Sequence, residues 1–263
     1  MLPSLFIAHG APLLAIEDND YTQFLNSLAK TFPKPKAIVL FSAHWESANQ
    51  QVSDVQEYET IYDFGGFPAA LYQIKYAARG DTRITQQIMN LLGEQKIPYE
   101  VDTRRGLDHG AWVVLRMMYP EADIPVISMS VNPNLSPEEQ YRIGKSLATL
   151  REQDVLIIAS GGTVHNLRLL RMNGEEEKVD QWALDFDEWL EKQVKKWDLE
   201  TLFQYPDIAP SAHLAVPPYG IEHFIPFFYA MGAADQEKSA TLLHRSYRYG
   251  NLSHSIWQFG EIQ

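Results

Sequence analysis

Ala37-Ile38-Val39-Leu40-Phe41-Ser42-Ala43-His44-Trp45 is the stretch that decides the fold. It is a short, continuous apolar run, as suits a strand buried on both faces of a sheet. Leu5 to Ala8, Ile124 to Ser130 and Val155 to Ala159 have the same character, and Thr241 to Tyr247 is a weaker strand near the C-terminus. Helical patterns lie between these runs. Ile84, Ile88, Leu91 and Leu92 recur at helical spacing, with Gly93 placed to end that helix. Ser136-Pro137-Glu138-Glu139 combines an N-cap serine, a proline at the first helical position and a glutamate at the third. Ile143, Leu147 and Leu150 continue that helix as an apolar stripe. Val179, Trp182, Phe186, Trp189 and Leu190 stripe a later one, as core or interface rather than cofactor box. Glu175-Glu176-Glu177 reads as its solvated start. Strands alternating with helices predict an α/β fold. We expect one domain over 1–263, with a central, mostly parallel or mixed sheet flanked by helices. Two stretches read as long loops, about Asp54 to Gly80 and about Tyr205 to Gly220. Such loops in a compact domain are often functional.

The chain has 263 residues, and its apolar fraction of 45% can build a large core. A net charge of −12 argues against a nucleic-acid partner. No apolar run reaches the roughly 18 residues of a membrane span. The N-terminus carries no targeting pattern, so the expectation is a cytoplasmic protein. The absence of cysteine excludes disulfides, thiolate metal sites, iron–sulfur clusters and cysteine nucleophiles. Any metal must therefore be held by nitrogen and oxygen. The G-x-S-x-G elbow, the GxxxxGK[ST] phosphate loop and HExxH are all missing.

That leaves the histidines. In a parallel sheet, ligands bind at the carboxyl ends of the strands, and imidazole is the commonest protein metal ligand. His9 ends the first run and His44 the second, each beside small residues that leave room for an ion or a substrate. His165 follows the fourth run after Ser160-Gly161-Gly162-Thr163-Val164, where glycines allow a sharp turn. An imidazole there could accept and donate protons near neutral pH. His223 follows Gly220 at the start of a helix through Phe224, Phe227, Phe228 and Met231, with Glu222 beside it. Two histidines and one carboxylate are a non-haem iron pattern, so either Glu222 or His223 could be the third ligand. Adjacent helix residues point about 100° apart and cannot easily share one ion. His109 follows Asp108, which can cap the next helix, and could contact a bound oxygen or phenolate. His213, His244 and His254 read as structural or exposed, with His254 a weak exception after a glycine turn.

Taken in order, these segments resemble the DOPA 4,5-dioxygenase-like branch of the class III extradiol ring-cleaving dioxygenases, the LigB superfamily. The resemblance runs through His9-Gly10, Ser42-Ala43-His44-Trp45, Tyr62-Asp63-Phe64 and Gly66-Phe67-Pro68. It continues through Arg105-Gly106-Leu107-Asp108-His109-Gly110-Ala111-Trp112, Val164-His165-Asn166-Leu167-Arg168 and Glu222-His223-Phe224. It implies that His9, His44 and His223 bind one non-haem divalent metal, which decides the third ligand for His223. It also implies that His165 is the catalytic acid/base and His109 a further participant. The expected reaction inserts O₂ into a small aromatic diol, with Fe(II) as the working metal and Zn(II) plausible as the bound one. The protein would act as a monomer or small homo-oligomer. The same histidines could serve a zinc-dependent hydrolase, or a non-catalytic metal-binding protein on this scaffold. The chain departs from the family at Gly65, at Tyr76-Ala77-Ala78-Arg79-Gly80 and at Ala215 to Ile221. These loops bear on substrate identity and spare the metal site.

Overall fold

The computed structural model describes residues 1–172 and 178–262. The strands are β1 (Ser4–Ala8), β2 (Ala37–Glu46), β3 (Gln50–Ser53), β4 (Tyr99–Asp102), β5 (Val126–Val131), β6 (Val155–Gly161), β7 (Ala240–His244), β8 (Tyr247–Arg248), β9 (Leu252–Ser253) and β10 (Ile256–Phe259). The helices are α1 (Asp20–Ala29), α2 (Thr82–Glu94), α3 (His109–Met118), α4 (Pro137–Ser146), α5 (Gln181–Lys196), α6 (Leu199–Phe203), α7 (Tyr205–Ile208), α8 (Ala212–Ala215) and α9 (Pro226–Gly232).

The main sheet has the order β4-β3-β5-β2-β6-β1-β10-β7. Its centre, β5-β2-β6-β1, is parallel throughout. Antiparallel pairings of β3 with β5, β10 with β1 and β7 with β10 make the sheet mixed, and β8 and β9 form a separate ribbon. The apolar runs are continuous because helices cover both faces. Val39 and Phe41 of β2 join Ile157 of β6, Ile88, Ile143, Phe186 and Phe227 in one core, which contains α2, α4, α5 and α9. Ile38 and Leu40 join Leu156, Ile158, Leu25 and Trp112 in the other, under α1 and α3. Since β1, β2 and β6 run parallel, their carboxyl ends emerge together at one edge of the molecule, and the site is built there.

Several expectations are corrected. Gly93 does not stop its helix; α2 runs through Glu94, and Lys96 makes the left-handed turn beyond it (φ 55°). The capping box at Ser136 is present, but α4 ends at Ser146, with Leu147 and Leu150 in a tighter turn that follows. Residues Tyr205 to Gly220 form no long loop: they contain α7 and α8. His223 lies in a single turn over Ile221–His223, ahead of the helix that starts at Pro226. Strand β5 begins at Val126, two residues after the expected start, and β7 ends at His244. Strands β3, β4, β9 and β10 were not expected, and Tyr247, the expected end of the last strand, instead opens β8. The Asp54 to Gly80 segment is largely irregular, with one short turn over Ala69–Gln73. The Glu175-Glu176-Glu177 helix start falls outside the described residues. No helix among the described residues is long and apolar enough to cross a membrane.

Candidate metal centre and active site

Each site histidine is delivered by a specific piece of backbone. His9 follows β1, where its N–H donates to Gly161 O at 3.1 Å and Gly10 turns the chain with φ 60°. His44 lies within the last residues of β2, beyond the point where register with β5 breaks. Its backbone is held from both sides: its N–H donates to Ser42 Oγ (3.2 Å), and the Arg105 guanidinium donates to its carbonyl (3.0 Å). His223 is seated against the end of β6. Gly162 N–H donates to His223 O at 2.7 Å, and a Cβ at Gly161 would lie 2.1 Å from that oxygen. Glycine at 161 is therefore what lets the His223 turn approach the strand. His165 is fixed by its N–H to Ala215 O (3.0 Å), and its ring stacks flat on His223 with centroids 3.5 Å apart.

The ligand nitrogens of His9, His44 and His223 lie within 4.8 Å of one another. Hydrogen-bond partners on the far side of two rings fix which nitrogen faces inward. Ser160 Oγ donates to Gly110 O (2.5 Å), so it accepts from His9 Nδ1 at 3.0 Å. Glu222 Oε1 accepts from His223 Nδ1 at 2.9 Å. Both rings then carry hydrogen on Nδ1 and a lone pair on Nε2, as metal-binding imidazoles do. His9 Nε2 faces His44 Nε2 at 3.0 Å, and His223 Nε2 is buried without a hydrogen-bond partner. Nitrogen lone pairs converging in a buried space call for a cation. The donor set suits a divalent transition ion held by neutral imidazoles. Burial, followed by the charges of neighbouring histidines, holds His9 and His223 well below the ordinary imidazole pKa. Burial and His109 lower His44 to about 4, against the opposing pull of Asp108 and Asp63. The trio is thus neutral at pH 7. Glu222, read from the sequence as a rival to His223 for the third position, sits on the Nδ1 side of that ring, away from the converging nitrogens.

His109 and His165 flank this trio. The His109 ring centroid is 4.0 Å from that of His44 and 5.4 Å from that of His9. Burial, the leading cause, lowers His165 to about 4. All five histidines singled out in the sequence therefore meet in one place. The other three do not join them. His213 is exposed on α8. His244 is half-buried on β7 and bonds Ser246 Oγ at 2.9 Å. His254 is buried behind the His9 turn, stacked on Tyr21 with centroids 4.5 Å apart.

Sequence reasoning missed the supporting groups. Asp108 caps α3 through Ala111 N–H as expected, but also accepts from Ser42 Oγ (2.6 Å) and Arg105 (3.2 Å), tying α3 to the His44 strand. Ser160 was read only as part of a glycine turn. Asp63 reaches both His44 Nδ1 (3.5 Å) and His109 Nδ1 (2.9 Å) from the long loop. Burial alone would raise the Asp63 pKa, yet the histidines outweigh it and hold that carboxyl at about 2.

This constellation has a family counterpart. Residues 3–260 match the family described as the catalytic LigB subunit of aromatic ring-opening dioxygenase. The chain belongs to the LigB family. It is 42% identical to a 4,5-DOPA dioxygenase extradiol of Beta vulgaris, covering 97% of this chain and 96% of that protein. It is 36% identical to one of Escherichia coli K12, covering 98% and 95%. A crystal structure of an uncharacterized Escherichia coli K12 protein superimposes with a TM-score of 0.83 at 32% identity, over 99% of this chain and 100% of that one. LigB dioxygenases are non-haem metal enzymes, and a three-histidine group close enough to hold an ion is present here. The protein is thus an extradiol aromatic ring-opening dioxygenase, acting on an aromatic substrate and O₂. The hydrolase and non-catalytic readings find no counterpart among these relatives.

Proposed function

We propose that this LigB protein opens the ring of a DOPA-type catechol at one Fe(II) ion held by His9, His44 and His223. The observation that carries the ligand assignment is the convergence of three imidazole nitrogens, with His9 and His44 facing Nε2 to Nε2 at 3.0 Å and His223 Nε2 buried and unpartnered. The DOPA-type substrate follows from the relatives' names and remains a matter of class. Three neutral imidazoles also make a good Zn(II) site, and zinc often outcompetes iron in affinity. Iron is favoured because zinc has no redox chemistry to offer a reaction with O₂.

When bound, the ion would supply charge to stabilise a catecholate and a redox route between substrate and O₂. The protein's part is positional. The second partners of His9 and His223 keep Nε2 turned inward, and the Arg105 and Ser42 contacts fix the His44 backbone. His165, neutral and stacked on His223, accepts a proton from a catechol hydroxyl and returns it when the ring opens. Proton transfer by a positioned side chain contributes about 10²–10⁴-fold. His109, on the other side of His44, offers a second polar contact to the bound diol. Phe64, edge-on to His109 at 5.7 Å, gives the aromatic ring an apolar neighbour. One chain supplies every one of these groups, so the reading requires no more than a monomer, and a small homo-oligomer would carry one site per subunit.

The test is His9→Ala, assayed for metal content and turnover together after loading with Fe(II). The variant should lose both. Stoichiometric iron in a folded His9→Ala protein would remove His9 from the ligand set.

A further inference from the structure

We infer that Asp63 is a positioning residue which locks His109 into a single tautomer and couples the long loop to the metal centre. This rests on the reading of His109 as a working group. Both carboxylate oxygens are engaged. Oδ1 accepts the backbone N–H of His109 at 2.9 Å, and Oδ2 lies 2.9 Å from His109 Nδ1 and 3.5 Å from His44 Nδ1. A carboxylate is an acceptor only. The angle is too bent for His109 Nδ1 to count as hydrogen-bonded, but a carboxylate oxygen 2.9 Å away repels a lone pair there and favours the tautomer with hydrogen on Nδ1, which leaves Nε2 as the ring's acceptor. A backbone contact and a ring contact made by one side chain leave the imidazole little freedom to flip. Of the two imidazoles beside the proposed ligands, only His109 has such an orienting group. Among the described residues, no acidic side chain pairs with His165.

Asp63 is itself held firmly. Ile61 N–H donates to Leu107 O (2.8 Å), and Trp112 Nε1 donates to Ile61 O (3.0 Å). On its other side, Phe64 packs edge-on against His109 and within 6.3 Å of Trp112. The chain on both sides of Asp63 is thus pinned to α3, the helix that begins with His109. The loop that brings aromatic side chains to the site therefore also sets the hydrogen-bonding pattern of one of its imidazoles. The same three side chains, His44, Asp63 and His109, lie close enough to hold a cation of their own. The positioning role requires that they do not.

Asp63→Asn separates these roles. An amide keeps the size of the side chain and one acceptor oxygen for the His109 N–H, but it places an N–H₂ against Nδ1. His109 Nδ1 must then accept, and its proton moves to Nε2. Tautomer inversion of this kind can lower kcat by up to about 10⁴-fold in an Asp–His pair of similar design. The expected result is kcat reduced by about 10²-fold or more, with KM little changed, iron content unchanged at one equivalent, and an unaltered melting temperature. In a His109→Phe background, Asp63→Asn should add almost no further loss, because it acts through the ring that is missing. Asp63→Glu should recover part of the activity. Full and independent losses from the two substitutions would overturn the inference, as would metal lost from Asp63→Asn. If His109→Phe itself turns over normally, the reading of His109 as a working group has failed. If His109→Phe is impaired and Asp63→Asn is not, only this inference has failed.

Discussion

Gly161→Ala should damage the proposed metal centre without replacing any proposed ligand. Gly161 is the last residue of β6, and a methyl group there would lie 2.1 Å from His223 O and 3.2 Å from Phe6 Cε2. Ordinary contact begins at 3.4 Å, so the His223 carbonyl would have to retreat by about 1.3 Å. That atom is backbone and cannot rotate aside. The shift carries the His223 turn away from His9 and strains the 2.7 Å hydrogen bond from Gly162 to the same oxygen. Overpacking of this kind costs about 1–3 kcal/mol. At about 2–4 °C per kcal/mol for a chain of this size, the melting temperature should fall by several degrees. A misplacement near 1 Å at a reacting centre can lower turnover about 10²-fold. Gly162→Ala is the matched control, because its nearest contact would be His165 Cβ at 3.6 Å. Iron content, kcat and thermal unfolding should be measured for both variants. The reasoning is refuted if Gly161→Ala binds one equivalent of iron and turns over like the parent, or if the two variants are equally impaired.

Three further outcomes follow from the geometry. Ser160→Ala removes the acceptor that orients His9 Nδ1 and should weaken metal affinity about 10–100-fold, read by competition with a chelator; unchanged affinity would mean Ser160 does not set that ring. His165→Ala should retain iron while kcat drops about 10²–10⁴-fold, and normal turnover would end its assignment as proton carrier. Arg151 is buried at 1% exposure and bonds Leu2 O, Ala233 O and Glu237. Arg151→Leu leaves the Glu237 carboxylate without its partner and should destabilise the fold by about 3–5 kcal/mol. Chemical denaturation measures this, and the kinetics of the folded variant should be unaltered.

The sequence was most legible where burial and periodicity coincide. The β1, β2, β5 and β6 runs are continuously buried because both faces of the sheet are covered there. The strands that escaped notice lack that signal. Gln50-Gln51-Val52-Ser53 is polar because Gln50 and Ser53 bond to side chains and backbone of neighbouring strands. Tyr99–Asp102 is a half-exposed edge strand. Ile256–Phe259 is short, and only its pairing between β1 and β7 identifies it. His9, His44 and His165 were visible because they follow strand-like runs, and the parallel centre of the sheet gathers such ends. The groups that orient them were not. Ser160, Asp63 and Glu222 act through contacts with imidazole rings; Ser160 reaches its ring across 151 residues of chain, and Asp63 holds the His109 backbone N–H across 46. No local pattern encodes such a pairing. The family resemblance supplied the choice of His223 over Glu222, and the geometry adds a reason: the carboxylate is occupied on the opposite face of that ring.

The most direct test of the account is anaerobic loading of the protein with Fe(II), followed by a catechol and isotopically heavy O₂. The account predicts one equivalent of iron, no product without oxygen, and a ring-opened product carrying both atoms of the added O₂. Product formed in the absence of oxygen, or an iron-loaded protein that consumes no O₂ with any catechol offered, would contradict it.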